Sequence, residues 1–331
     1  MQLTRRQMSQ AILSITLLSS TARAADESLP PDPDPSLWHI DTPPTREGFA
    51  KGPNGQVYWR AYGVAGKLPV VVLHGGPAAG HTYMRPYAAL ATDREMILYD
   101  QSGCGLSAKP SGLWHYSVSR YVAELEALRV HLGYDRVILV GHSWGALLAP
   151  AYAAAHPTRV ASMVLAGGVA VMSDYQKAAT RWLTEMGPST VELVRRITAS
   201  GKVSDPGYQA FLDRYYHAHV LRLKDWPDWI NTALGQLDSN PVYLHLNGPN
   251  EFAITGALSS LDLRPQTKNL GMPVLVTCGE FDEAPPWAAS RLAAAFPNAR
   301  LHPFPGLSHL SHVEDPVTVI AATRSFIQQI T

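Results

Sequence analysis

The sequence has little charge, and the charge that it has is balanced. Lysine plus arginine and aspartate plus glutamate each number 27, so the formal net charge is zero, and charged residues make up 16% of the chain. No basic stripe or acidic tail is present, so we expect no nucleic-acid partner. The apolar run near the N-terminus, residues 11–18, is too short to cross a bilayer. We therefore expect no stable membrane insertion.

Cysteine is scarce as well, since only Cys104 and Cys278 occur. No cluster of histidine and cysteine has the spacing of a zinc site, so we expect no zinc site. Each cysteine follows a predicted strand, in a different part of a predicted sheet, which favours two unpaired, buried thiols over a disulfide. A length of 331 residues with 46% hydrophobic residues suffices for one large domain with an insertion, or for two domains.

The first 24 residues have the pattern of an export signal. Two arginines at 5–6 precede the apolar residues 11–18, and Ala-Arg-Ala at 22–24 provides a cleavage site. The arginine pair is typical of the twin-arginine route, and a Sec signal with two arginines is the alternative. Either route predicts an exported protein, periplasmic or secreted. A Pro/Asp-rich mobile spacer is expected at residues 25–40.

Short apolar strands alternate with helices along much of the remaining chain. We predict a hairpin from residues 47–50 and 56–62. Further strands are predicted at 69–73, 95–99, 137–140, 160–165, 273–277 and 299–302, and helices at 82–91, 117–132, 146–155, 288–296 and 316–330. This alternation favours an α/β fold, with a mostly parallel sheet covered by helices on both faces.

The alternation stops in the middle of the chain. Residues 171–270 have helical patterns rich in Trp, Tyr and Arg, without a strong strand. We therefore predict a core built from residues 41–170 and 271–331. A helical cap, residues 171–270, is then inserted between the two halves of the sheet and covers the site.

The motif Gly-His-Ser-Trp-Gly at residues 141–145 joins a predicted strand to a predicted helix. In that context G-x-S-x-G is a nucleophile elbow, in which a sharp turn exposes the serine hydroxyl. The neighbouring chain passes very close, so Gly141 and Gly145 can have no side chain. We predict that Ser143 is a nucleophile, against the alternative of an ordinary glycine-containing turn.

A nucleophilic serine needs a base, and the base needs a group that orients it. Asp282 and His309 each follow a predicted strand, in the chain order Ser, acid, His, and the carboxyl ends of parallel strands are where such sites form. We assign His309 as the base and Asp282 as its orienting acid. Neighbouring residues compete for both roles. Glu280 and Glu283 are alternatives to Asp282 as the acid. His302, expected within a strand, and His312, expected to face solvent, are alternatives to His309 as the base.

An oxyanion hole is expected beside the elbow. The backbone N–H of Trp144 begins the following helix, whose positive end faces any oxyanion formed there. The loop His-Gly-Gly-Pro at 74–77 follows the strand before the first helix, where a second donor is expected, and Gly76 is our choice. A plain Gly-Gly-Pro turn is the alternative.

Five motifs of the chain resemble those of the prolyl aminopeptidase (proline iminopeptidase) family of α/β hydrolases: HGGP at 74–77, DQSGCGLS at 100–107, GHSWG at 141–145, GEFDE at 279–283 and GLSH at 306–309. The segment NGPNEF at 247–252 is similar to the NGPxEF segment of tricorn-associated aminopeptidases and amino-acid amidases. Two positions depart from the family pattern. Ala78 and Ala146 replace glycines, and each adds a methyl near the predicted oxyanion hole, which bears on acyl-group size rather than on the chemistry.

The resemblance implies the α/β-hydrolase fold and a serine hydrolase that removes an N-terminal residue, proline or another small apolar one, through an acyl-enzyme. This chemistry needs no metal and no organic cofactor, so we expect neither. It also implies that Glu251 and Glu283 hold the free α-amine of the substrate, a short peptide or an amino-acid amide. Surface carboxylates are the alternative for both glutamates. An amidase, a broad esterase and a non-catalytic binding module remain alternatives for the whole protein.

Overall fold

The computed structural model describes Leu29 and residues 32–235 and 237–330. The predicted export signal at residues 1–24 lies outside the described residues, as does part of the predicted spacer. Within the described residues, eight strands form one sheet: β1 (Arg46–Gly52), β2 (Gly55–Tyr62), β3 (Val70–Leu73), β4 (Met96–Tyr99), β5 (Val137–His142), β6 (Val160–Ala166), β7 (Val274–Gly279) and β8 (Ala299–Phe304).

The strands lie in the order β1-β2-β4-β3-β5-β6-β7-β8. β2 pairs antiparallel with both β1 and β4, and the pairs from β4 through β3, β5, β6 and β7 to β8 are parallel. The predicted mostly parallel sheet is confirmed. Because the parallel strands run the same way, their carboxyl ends meet at one edge of the sheet.

The central strands are buried on both sides. All four residues of β3 are buried; Val71 and Leu73 belong to one apolar core, and Val70 and Val72 to the other. Such a strand needs a continuous β-branched run rather than alternating polarity, which is the pattern of this segment.

Eleven α-helices occur in the described residues: α1 (Val118–His131), α2 (Trp144–Ala155), α3 (Met172–Glu185), α4 (Pro188–Ser200), α5 (Pro206–His219), α6 (Asp228–Leu234), α7 (Pro241–Leu246), α8 (Arg264–Thr267), α9 (Pro286–Ala293), α10 (Ser311–Glu314) and α11 (Pro316–Ile327). α1, α2 and α9 contribute Leu125, Leu148 and Leu292 to the core on one face. On the other face, Met84 and Ile320 pack beneath the strands. The helix predicted at 82–91 is a 3₁₀ helix, Thr82–Leu90, interrupted by a proline.

Helices α3 to α8 connect β6 to β7, and no strand forms among the described residues of this connection. Part of it has an apolar cluster of its own, made of Leu183, Val194, Ile197, Tyr208, Phe211, Leu212 and Tyr215. The connection is also bonded to a loop of the sheet, since the carbonyls of His219 and Val220 accept hydrogen bonds from the N–H groups of His309 and Leu310. These bonds hold the helical segment directly over the carboxyl edge of the sheet.

The predicted spacer extends too far. Pro35–Trp38 form a 3₁₀ helix, and the buried indole of Trp38 donates a hydrogen bond to the carbonyl of Val313. The packed structure therefore begins before residue 41. Among the described residues, no helix combines the length and the apolar character that a membrane crossing requires. Cys104 and Cys278 are free and buried, as predicted.

Candidate active site

Ser143 lies at the turn between β5 and α2 in a strained conformation. Its φ is 54° and its ψ is −119°, a region that non-glycine residues rarely occupy. The turn is held in place by the Ser143 N–H, which donates to the carbonyl of Ala166 at 2.8 Å. In this position Ser143 lines a cavity, where a nucleophile can meet a substrate.

The two glycines of the elbow are required by the neighbouring backbone. A Cβ on Gly141 would lie 2.2 Å from the carbonyl oxygen of Gly145, and a Cβ on Gly145 would lie 2.1 Å from that of Leu73. Both distances are far below van der Waals contact, and backbone atoms cannot move aside. The close passage predicted from the motif is therefore present.

Asp282 and His309 form a buried pair at the ends of β7 and β8. Nδ1 of His309 lies 2.7 Å from Oδ1 of Asp282. His309 is 7% exposed and Asp282 is fully buried. The same carboxylate accepts hydrogen bonds from the N–H groups of Ala284 and Gly279, which fix its orientation. Since Asp282 occupies Nδ1, Nε2 is left for the cavity that His309 and Ser143 both line.

The electrostatics of this pair favour a charged imidazole. Burial alone would lower the pKa of His309, but the carboxylate of Asp282, followed by those of Glu283 and Glu314, raises it to about 9. Glu314 also accepts hydrogen bonds from the N–H and hydroxyl of Ser308, which hold the loop before His309.

Of the residues that compete with Asp282 and His309, only Glu283 lines the cavity beside Ser143. Glu280 is exposed and accepts a hydrogen bond from the N–H of Gly306. His302 lies within β8 and is exposed, as expected. The expectation that His312 faces solvent is wrong. It is 1% exposed, and its Nε2 lies 3.0 Å from the carbonyl oxygen of Tyr83, because α10 turns this residue under the sheet edge.

The residues predicted for the oxyanion hole stand beside the nucleophile. Gly76, Ser143 and Trp144 together line a small cavity. The N–H of Trp144 opens α2, so it has no acceptor within that helix and points out of its positive end. Both predicted donors therefore belong to residues that border the same cavity as Ser143.

Gln101 supports this arrangement, and no sequence pattern beyond the DQSGCGLS motif points to that role. Its Nε2 donates to the carbonyl of His74 at 2.9 Å, while its Oε1 accepts from the indole N–H of Trp144 at 2.8 Å. One side chain thus joins the two backbone segments predicted to form the oxyanion hole.

His74, Asp100 and Cys104 cluster behind the site, with one potential ligand atom from each within 4.8 Å of the others. Nδ1 of His74 is bonded to the carbonyl of Gly75, and Nε2 accepts from the N–H of Gln101. Burial lowers the pKa of His74 to about 4, so the ring is neutral. Because both ring nitrogens are already bonded, this cluster braces a loop.

Glu251 and Glu283 are brought to the same cavity as Ser143 and His309, which measures about 270 Å³. Glu251 is 6% exposed and Glu283 is 7% exposed, so neither is a surface carboxylate. Tyr175 and Tyr215 approach Glu283 closely enough for hydrogen bonds that lower its pKa, against the larger effect of burial, which raises it.

The chain is similar to known proteins over most of its length. The family model of the alpha/beta hydrolase fold matches residues 69–316. A proline iminopeptidase of Heyndrickxia coagulans is 31% identical over 285 residues, 86% of this chain and 99% of that protein. One from Thermoplasma volcanium is 32% identical over 272 residues, 81% of this chain and 92% of that protein. The chain belongs to the proline iminopeptidase family of α/β hydrolases.

A solved structure extends the likeness to three dimensions. The crystal structure of proline iminopeptidase from Mycobacterium smegmatis matches with a TM-score of 0.79 at 31% identity, and the match covers 86% of this chain and 98% of that one. The family assignment therefore rests on both sequence and fold.

The two departures from the proline iminopeptidase motifs lie beside the site rather than in it. Ala78 has a φ of 80°, the left-handed conformation that suits the usual glycine. The methyl of Ala146 is buried and faces Gly168, where an added Cβ would approach it to 2.7 Å. Neither methyl lines the two cavities described above. Their effect on acyl-group size would therefore be indirect.

Proposed function

We propose that the protein is a serine aminopeptidase that removes an N-terminal proline, or another small apolar residue, from short peptides through an acyl-enzyme. One observation carries the proposal: two buried glutamates, Glu251 and Glu283, line the same cavity as Ser143 and His309. Buried carboxylates are costly without positive charge nearby. The described lining contains no lysine or arginine, and His309 can carry at most one positive charge for the two glutamates, so a further positive charge is needed. The α-ammonium of a substrate would supply that charge.

In the proposed reaction, Oγ of Ser143 attacks the carbonyl carbon of the N-terminal residue while Nε2 of His309 takes the hydroxyl proton. Asp282 orients the ring and stabilises the imidazolium. The N–H groups of Gly76 and Trp144 stabilise the oxyanion, and each such donor is worth about 3–4 kcal/mol in comparable enzymes. His309 then protonates the leaving amine, and water releases the acyl group from the serine.

A substrate panel tests the proposal. Aminoacyl-naphthylamides, the matching amino-acid amides and their N-acetylated counterparts are compared for the wild type and Ser143→Ala. We expect cleavage of free-amine substrates only, and a loss of several orders of magnitude in kcat for the variant with the fold retained. The amides separate a peptidase from an amidase. Equal cleavage of N-acetylated substrates would favour an esterase and contradict the proposal.

We also propose that the protein acts outside the cytosol, as a periplasmic or secreted enzyme. The support is the pattern of residues 1–24, with its arginine pair, apolar run and small-residue cleavage site. Its substrates would then be short peptides present in the periplasm or in the medium.

A further inference from the structure

Glu283 lies against the imidazole that would act as the base. Its Oε2 is 3.9 Å from Nε2 of His309, while Asp282 lies 2.7 Å from Nδ1 on the other side of the ring. Oε1 of Glu283 is buried and has no hydrogen-bond partner among the described residues. His309 therefore stands between two carboxylates, and one of them keeps an oxygen for a further donor.

This arrangement retains a proton. The pKa of His309 is about 9, and burial raises the pKa of Glu283 above its ordinary value while the neighbouring imidazole lowers it. Two groups this close titrate together, so the proton belongs to the pair rather than to either residue. At neutral pH the free site holds that proton. An imidazolium cannot accept the proton of Ser143, and a protonated Glu283 cannot pair with a cation.

We propose that the substrate's α-ammonium displaces this proton, so that binding of the cation to Glu283 is what makes His309 available as a base. The inference rests on the proposed aminopeptidase function, because it needs a substrate with a free amine. In the exchange, the ammonium brings one positive charge to the carboxylate, and the pair releases its proton to water, so the total charge of the site is unchanged. Only the bond to that proton is broken, and no bond between heavy atoms changes. Recognition of the amine and activation of the nucleophile thereby become one event.

The other titratable and charged groups around His309 and Glu283 do not take part in this exchange of a proton for an ammonium. They come from every element packed against it: Asp282 in the same loop, Glu251, Tyr175 of α3, Tyr215 and His219 of α5, Arg222, His142 of β5, and His312 and Glu314 of α10. Burial lowers the pKa of His142 well below its usual value and that of His312 to about 3, so both are neutral. Burial raises the pKa of both tyrosines, which stay protonated. The guanidinium of Arg222 lies over the ring of Phe281, and its Nε donates a hydrogen bond to the carbonyl of Gly306.

A neutral ester tests the coupling, because it reaches Ser143 without an amine. The pH dependence of kcat/KM for p-nitrophenyl acetate is measured for the wild type, Glu283→Gln and Glu280→Gln. An opposite charge within about 4–6 Å shifts a pKa by about 1–3 units, so the acid-limb midpoint of Glu283→Gln should fall by about one unit or more. One unit below the wild-type midpoint, that variant should hydrolyse the ester about fivefold faster than the wild type.

Glu280→Gln is the matched control for Glu283→Gln. Glu280→Gln removes the same charge from the same loop, at an exposed side chain bonded to Gly306, and should keep the wild-type midpoint. A purely structural role of Glu283 predicts a lower rate at every pH. Identical midpoints in all three proteins would overturn the proposal.

A second measurement needs no change at Glu283. Ser143→Ala is titrated with L-prolinamide at pH 6.5, below the α-amino pKa of about 7.7–8.0, in calorimetry buffers of different ionisation enthalpy. We expect release of about one proton for each amide bound. If the wild type cleaves free-amine substrates but Ser143→Ala binds prolinamide without releasing a proton, the coupling is overturned and the aminopeptidase function stands. Failure of Ser143→Ala, correctly folded, to bind prolinamide would overturn both.

Discussion

The hydroxyl of Tyr83 lies 2.8 Å from Nδ1 of His142. Nε2 of His142 is bonded to the carbonyl of His309 at 2.9 Å, so Nε2 is the protonated nitrogen and Nδ1 the acceptor. Tyr83 therefore donates to His142, and its oxygen accepts a hydrogen bond from the N–H of Gly75. Two side chains thus connect the loop of the predicted oxyanion hole to the backbone of the predicted base.

Tyr83→Phe tests this connection. The variant leaves the Gly75 N–H and Nδ1 of His142 unpaired inside the protein, at a cost of about 1–3 kcal/mol. Because both loops shift relative to Ser143, we expect kcat on a prolyl-naphthylamide to fall about tenfold or more, with a smaller change in KM. Steady-state kinetics and the melting temperature are measured together.

Tyr87→Phe is the matched control, because Tyr87 is buried in the same 3₁₀ helix and its ring packs on His312. It should keep kcat within about twofold of the wild type. An equal loss of kcat in both variants would mean that the helix, and not the Tyr83 hydroxyl, positions the site.

The sheet could be predicted because its strands are unbroken apolar runs, such as β5, between glycines and loops. Ser143, Asp282 and His309 could be chosen because motif order and strand ends together restrict the choice. The 3₁₀ geometry of Thr82–Leu90 could not be predicted, since it depends on how a proline-containing segment packs beneath the sheet.

Side-chain contacts between residues far apart in the chain could not be predicted from the sequence. Tyr83 and His142 meet across 59 positions, and no local pattern records such a pair. The sequence predicts His312 at the surface, because it shows only how far along the chain this residue lies from His309. Its burial depends on the tilt of a four-residue helix against Tyr83 and Tyr87.

Gly145→Ala tests the close passage at the elbow. The new Cβ would lie 2.1 Å from the carbonyl oxygen of Leu73, so β3 and α2 would have to separate. Overpacking typically costs about 1–3 kcal/mol, and since backbone atoms cannot move aside, we expect a loss near the upper end of that range in the free energy of unfolding measured in urea. Gly271→Ala is the control, because no atom lies within 4 Å of its added Cβ, and it should change stability by less than about 1 kcal/mol. Equal stability of the two variants would show that the elbow has room for a side chain.

Export is tested at the N-terminus. The mature protein should begin near Ala25 and be recovered from the periplasm or the medium, since the A-R-A site at 22–24 precedes it. Replacing both arginines at 5–6 with lysine should stop export if the twin-arginine route is used. N-terminal sequencing and cell fractionation give the answer. Unchanged export would indicate the Sec route, whereas uncleaved protein confined to the cytosol would refute export.

Glu251→Gln tests whether the cavity recognises an amine by its charge. Glutamine keeps the size and the hydrogen-bonding capacity of this buried side chain but removes its negative charge. A hydrogen bond to a charged group is worth about 1.5–3 kcal/mol, so kcat/KM for free-amine substrates should fall about tenfold to a hundredfold.

A small neutral ester separates loss of amine recognition from a general defect, since it is cleaved at Ser143 without occupying the amine position. Its kcat/KM in Glu251→Gln should fall much less than that of the free-amine substrate, because the ester has no amine for Glu251 to bind. A folding defect would instead lower both rates together. The decisive quantity is the ratio of free-amine to N-acetyl cleavage, measured on the same naphthylamide pair in the wild type and the variant. An unchanged ratio would mean that Glu251 does not bind the ammonium, and the specificity of the cavity would then come from its apolar walls.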